Sequence, residues 1–269
     1  MARAIVPAMQ TLTIGEHLRD WRQRRRLSQL DLALDADIST KHLSFLETGR
    51  SQPSRDMVLR LAERLDVPLR ERNILLVSAG FAPNFPQRAL EDPAMSAARK
   101  AVDLVLKGHE PYPAIAVDRH WTLVAHNAAV MALLASAEAS LLAPPVNVLR
   151  LSLHPQGLAP QIENLAEWRA HLLARLRQQI DVTADATLVA LRDELAAYPA
   201  PAASRARPAH DEYGGVVVPM RLKTPRGTLS FFSTTTIFGT PVDITLSELA
   251  IESFFPADAA TAELLRGRA

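Results

Sequence analysis

Thr40, Lys41, Ser44 and Phe45 recur at helical spacing, with Leu43 and Leu46 on the opposite face. With the leucines turned inward, these four side chains project outward. Thr40, Lys41 and Ser44 bring hydrogen-bonding groups suited to base edges, and Phe45 a ring suited to a thymine methyl or to packing on a neighbouring helix. Ser39, which caps this helix, counts with the same set. Gln29 stands at the first turn of the preceding helix, where a side-chain amide and a backbone N–H together grip a phosphate. Arg50, just past Gly49, and Arg24 or Arg25, in an arginine run, are candidate phosphate ligands. This chemistry is recognition of a nucleic acid.

The elements that must hold these groups lie in residues 28–54. Ser28 caps one short helix, with Leu30, Leu32 and Ala33 as its apolar face, and Asp35-Ala36-Asp37 interrupts the pattern. The second helix follows Ser39. Gly49 falls where a helix C-terminus takes a left-handed residue, and Pro53-Ser54 opens the next helix. Two short helices across a tight turn form a helix-turn-helix, whose second helix enters the major groove. Ile14, Leu18 and Trp21 predict a first helix over 14–25. Met57, Val58, Leu61, Ala62 and Leu65 predict a fourth, and 69–79 a fifth with the apolar run 74–77.

The segment 14–67 resembles the XRE-type (lambda-repressor-like) helix-turn-helix domain at Leu18, Arg22, Ser28-Gln29, Leu32-Ala33, Ile38-Ser39, Leu46-Glu47, Gly49, Pro53-Ser54 and Leu61-Ala62. The resemblance implies an ion pair between Arg22 and Glu47 that ties the first helix to the recognition helix. This sequence departs from the family at Arg26 and Asp37, where glycine is usual at sharp turns.

After Pro83 the pattern changes. The expected division is a tail (1–10), the helix-turn-helix domain (11–82), a proline-bearing linker (83–95) and a second domain (96–269). In the second domain a helix over 96–107, with Val102, Val105 and Leu106 inward, precedes strands at 114–117 and 121–125. Asn127 then caps an apolar helix. Residues 146–153 form a short helical or extended connector. Helices follow within 158–180 and 183–198, then a Pro- and Ala-rich loop (199–215). The β-rich runs 216–222 and 228–238 join through a hairpin at 225–227; a third strand starts at 242–244 and reaches towards 251, and a short helix ends the chain. The expected fold is therefore multi-domain: an all-α five-helix module, then an α+β domain whose antiparallel sheet carries helices on one side.

The segments YPAIAVDRHWTLVAHNAA and NVLRLSLHP, a long helix containing Trp168 and a closing hairpin resemble the MmyB-like ligand-binding domain over about residues 96–255. This PAS-like fold follows XRE-type domains. The resemblance implies a cavity for a small, largely apolar ligand, with fatty-acyl molecules the suggested class. Trp121, Asn127, Met131, Arg150, Trp168 and Phe231 are the candidate pocket residues; Arg150 and Arg221 are arginines that could pair with a ligand carboxylate. Trp121, Trp168, Met131 and Phe231 also serve as core residues, Asn127 as a helix cap, and the arginines as surface groups.

The chain of 269 residues has no cysteine, a net charge of +1 and 48% hydrophobic residues. Disulfides, thiol catalysis and thiolate metal sites are excluded, and nucleic-acid binding must rest on a local surface rather than global basicity. His109, His120, His126, His154, His171 and His210 form no ligand pattern, and the 233–236 hydroxyl run lacks a G-x-S-x-G elbow. The expectation is a cytoplasmic, non-enzymatic transcription regulator with no metal or cofactor. It binds double-stranded operator DNA as a homodimer, with half-sites roughly 34 Å apart, and touches no membrane. A tethered enzyme, a protein-docking module and a ligand-free dimerisation scaffold are the alternatives.

Overall fold

The computed structural model describes residues 12–134, 137–199, 217–239 and 241–267. The expected tail (1–10) and nearly all of the 199–215 loop, with His210, lie outside the described residues. The chain divides into two compact units, one comprising Met1–Gln87 with Val242–Ile244, the other Arg88–Pro241 with Thr245–Ala269.

The first unit has five helices: α1 (Ile14–Arg24), α2 (Gln29–Asp35), α3 (Thr40–Glu47), α4 (Arg55–Arg64) and α5 (Leu69–Ser78). Thr13, Ser28, Ser39 and Ser54 start the first four, each side chain accepting from a backbone N–H three residues on. Leu18, Leu32, Leu43, Leu46, Leu61, Leu65, Leu75 and Leu76 are fully buried at the centre. Leu30 does not join this face. It lies two residues from Leu32, on the far side of a seven-residue helix, and is 56% exposed. Ile74 and Val77 are likewise outside, because only Leu75 and Leu76 of the apolar run point inward.

All five helices end alike. In each, the N–H of the residue two past the cap donates to a carbonyl five back: Leu27 to Arg22, Ile38 to Ala33, Arg50 to Phe45, Val67 to Ala62 and Phe81 to Leu76. This is the Schellman closure, and the residue between is left-handed. It is glycine at Gly49 and Gly80, but Arg26 (φ 56°), Asp37 (φ 53°) and Asp66 (φ 46°) elsewhere.

In the second unit, α6 (Ser96–Gly108) leads to β1 (Ala114–Val117) and β2 (Leu123–His126). The helices α7 (Ala128–Met131), α8 (Ala139–Leu142), α9 (Val148–Leu153), α10 (Leu165–Thr183) and α11 (Ala186–Ala197) follow. Then come β3 (Met220–Thr224), β4 (Gly227–Ile237), α12 (Ile244–Ser247), β5 (Ala250–Pro256) and α13 (Ala259–Arg266). The sheet order is β2-β1-β5-β4-β3, with every pairing antiparallel.

Five local expectations are corrected. The sheet is covered on both faces: Ala114, Ala116 and Ile251 pack on Val102 and Leu106 of α6, while Ile115 and Val117 join the core that contains Leu172 and Leu176 of α10. Every residue of β1 is therefore buried. Val105, on the outer side of α6, is 39% exposed. The strand expected from Trp121 begins at Leu123, because Trp121 adopts φ 64° and closes a turn. The strand expected from 242 is the single helical turn α12, with β5 following it. Residues 159–161 form a separate 3-10 turn, so the long helix begins at Leu165.

Candidate functional site

On α3, Leu43 and Leu46 are buried, Lys41 is exposed, and Thr40, Ser44 and Phe45 are half-buried. Phe45 does not join the hydrophobic core. Instead, Lys41 Nζ lies 5.7 Å and Arg50 Cζ 5.9 Å from its ring centroid, so one aromatic carries two cations. Ser39 is committed to capping and accepts from His42 N–H at 3.1 Å. Arg24 is exposed beside Trp21, whereas Arg25 donates to the carbonyls of Leu65 and Asp66 and is structural.

Beneath this face, α1 is tied to the end of α3. Arg22 donates from Nε to Glu47 Oε1 at 2.6 Å and from Nη2 to Oε2 at 2.9 Å, and from Nη1 to the Leu27 carbonyl. Arg19 donates to the Glu47 carbonyl at 3.2 Å. The Gln29 amide, expected on a phosphate, donates to Glu47 Oε2 at 2.8 Å and so belongs to the same clamp. Burial raises the Glu47 carboxyl's pKa, but the hydrogen bonds from Arg22 and Gln29 and the charges of Arg22 and Arg19 outweigh it and hold the group below the usual glutamate range.

The second unit holds a partly open cavity of about 100 Å³, on the scale that takes an apolar guest rather than single waters. Strand register builds one wall. Ile115 faces Glu252, and Ser233 faces Phe254, so these four share a sheet face with Met220. Trp168, Leu172 and Arg175 of α10 close the opposite side, with Leu149, Leu151 and Ser152 of α9 and Leu133 and Leu134 after α7. Trp121 also lines it, its indole N–H donating to Gln179 at 2.8 Å.

Of the six expected pocket residues, Trp121 and Trp168 line the cavity and four do not. Asn127 is buried, accepting from Ala114 N–H and donating to the carbonyls of Leu106 and Tyr112. It fastens the start of β1 and makes no side-chain cap. Met131 ends a one-turn helix and is 56% exposed. Arg150 is spent on Glu194, with two bonds of 2.6 Å. Phe231 packs edge-on against Phe254 in the core beside the cavity. Arg221 does not line it either. The arginine that does is Arg175, three residues beyond Leu172 on the stripe that carries Trp168. Its place on that apolar stripe was the available sequence signal, as was Glu252 within AIESFF. Among the described residues no cluster of three or more His, Asp or Glu groups suits a metal ion.

The model of the MmyB-like transcription regulator ligand binding domain matches residues 98–267. The chain belongs to the MmyB-like transcription regulators. A helix-turn-helix model matches residues 18–72. The MmyB-like chain thus joins a DNA-binding module to a regulator's ligand-binding domain. Among solved structures, it is similar to the restriction-modification controller protein C.AhdI from Aeromonas hydrophila, at 32% identity over 22% of this chain and 89% of that one, TM-score 0.21. It is also similar to the clp gene regulator ClgR from Corynebacterium glutamicum, at 25% identity over 25% of this chain and 83% of that one, TM-score 0.22. No curated protein matches. Among the described residues no helix is long and apolar enough to cross a membrane.

Proposed function

We propose that this MmyB-like regulator binds operator DNA sequence-specifically as a cytoplasmic homodimer and responds to a small apolar ligand, without catalysis. The observation that carries the DNA reading is the Phe45 ring with Lys41 and Arg50 against it, outside the core on α3. Thr40, Lys41, Ser44 and Phe45 read base edges, while Arg50 and Arg24 hold the backbone. The clamp from Arg22 and Gln29 to Glu47 fixes the angle of the reading helix.

The ligand reading rests on the cavity, whose walls are almost wholly apolar. The fatty-acyl class that the family resemblance implies matches that lining. A ligand shifts DNA affinity only as far as it prefers one arrangement of the dimer over another. Native mass spectrometry of the full-length protein from its own host tests both claims, alongside selection of binding sites from random DNA. A dimer carrying a consistent small mass, with a palindromic enriched site, is the expected result. A monomer with no enriched site overturns the proposal.

A further inference from the structure

Each Schellman closure in the first unit places one residue in the left-handed region, and four of the five residues suit it. Gly49 and Gly80 carry no Cβ, and Asp37 and Asp66 are of a type that tolerates positive φ. Arg26, at φ 56° between α1 and α2, has no such local reason to be there. A left-handed arginine is strained, and backbone strain of this kind collects at functional positions. Nor does its side chain serve the fold. Arg22 donates to Glu47 and to the Leu27 carbonyl, Arg25 donates to the carbonyls of Leu65 and Asp66, and Arg24 lies over the Trp21 ring. Arg26 is exposed and has no hydrogen bond, ion pair or ring contact with any described residue. Asp31, the nearest acid in sequence, accepts from the Ser28 backbone N–H and hydroxyl, so it caps α2 instead of pairing with Arg26.

The turn that carries this free cation lies against the end of the helix proposed to read bases. One Arg22 guanidinium bonds the Leu27 carbonyl at 2.9 Å and the Glu47 carboxylate at 2.6 Å, and Gln29 reaches the same carboxylate at 2.8 Å. Residues 27 and 29 therefore border Glu47, the last residue of α3, and Arg26 directly precedes them. Arg50, on the chain leaving α3, borders the same end, its N–H donating to the Phe45 carbonyl at 2.9 Å. Two exposed arginines from two separate turns thus stand at one end of α3. A duplex whose major groove receives α3 carries its phosphates along both walls of the groove, and a guanidinium suits a phosphate in charge and in geometry.

We infer that Arg26 is a phosphate-binding residue of the DNA interface, its charge retained at a turn whose backbone favours glycine. The inference rests on the reading of α3 as the DNA-reading helix. Its test titrates the full-length protein against the selected operator and unrelated DNA, from about 50 to 200 mM salt. Wild type is compared with Arg26→Gly, which removes strain and charge, Arg26→Gln, which removes the charge alone, and Arg26→Lys, which keeps both. Arg26→Gly is expected to melt at or above the wild-type temperature yet bind both DNAs more weakly, so that misfolding does not account for the loss. In the glycine and glutamine variants the salt slope should fall by about one, and the wild-type advantage should shrink about threefold to fourfold across this range. Arg26→Lys should retain the slope. An unchanged slope in the glycine and glutamine variants would overturn the inference and leave the DNA reading intact. So would a slope that falls equally in Arg26→Lys, which would assign the effect to the turn and not to the charge. Wild-type protein without affinity for either DNA would overturn both.

Discussion

Arg22 closes on Glu47 in a bidentate pair across α1 and α3, with the Glu47 side chain wholly buried and that of Arg22 11% exposed. The pair fixes the C-terminal end of α3 against the scaffold. Removing one partner strands the other, which costs about 3–5 kcal/mol for buried pairs. Arg22→Ala should lower the stability of the first unit by about that amount, read from urea unfolding. A loss well under 1 kcal/mol would show that Gln29 and Arg19 suffice to satisfy Glu47.

The same carboxylate predicts a pH dependence. In the folded chain its pKa lies below the ordinary value of 4.5. The unfolded state therefore binds the proton more readily, and Glu47 contributes stability that is fully present above pH 4.5 and is lost as pH falls through the lower folded value. Urea midpoints of the first unit measured downwards from neutral pH should drop in that window. Glu47→Gln should flatten the drop; an unchanged slope would assign it to other carboxylates.

Gly15 explains how closely the two helices meet. A Cβ there would lie 2.5 Å from the Leu46 carbonyl oxygen and 2.8 Å from that of Glu47, both backbone atoms that cannot turn away. Gly15→Ala should destabilise by about 1–3 kcal/mol, the usual scale of overpacking, although alanine is the better helix former. A thermal midpoint at or above wild type would mean that α1 shifts freely.

Arg26 makes the opposite case. It holds φ 56° at a Schellman position where a side chain is strained, and it is exposed. Arg26→Gly should stabilise by about 0.5–1 kcal/mol, the relief of left-handed strain less the greater freedom of glycine in the unfolded chain. Thermal and urea midpoints should both rise.

These turns also show what the sequence made legible. Ser28, Ser39, Gly49 and Ser54 marked helix boundaries because capping is chemistry of a few adjacent residues, and the first unit's elements followed. The departures at Arg26 and Asp37 were visible for the same reason. The cavity was harder to read. Its sheet wall depends on register between β1, β4 and β5, strands far apart in sequence, so Ser233 and Glu252 could not be placed together beforehand. Arg150 looked available because Glu194, its partner, lies on another helix. Trp121 and Trp168 were found because large rings stand out on any apolar stripe, but the same criterion brought in Phe231, which packs just beside the cavity.

Substituting Lys41 tests base reading against backbone binding. It is exposed on α3 and its ammonium lies against Phe45, where both groups face the same solvent side. Lys41→Ala should relax preference at the position it reads by about 1–3 kcal/mol while retaining much of the non-specific affinity. Arg24→Ala, remote from α3 in sequence and exposed on α1, should weaken all sequences nearly equally and reduce the salt slope by about one. Titrating both variants against the selected operator, single-base variants of it and unrelated DNA at several salt concentrations distinguishes the two roles. If Lys41→Ala weakens every sequence to the same extent, Lys41 is a phosphate contact and base reading passes to Thr40, Ser44 and Phe45.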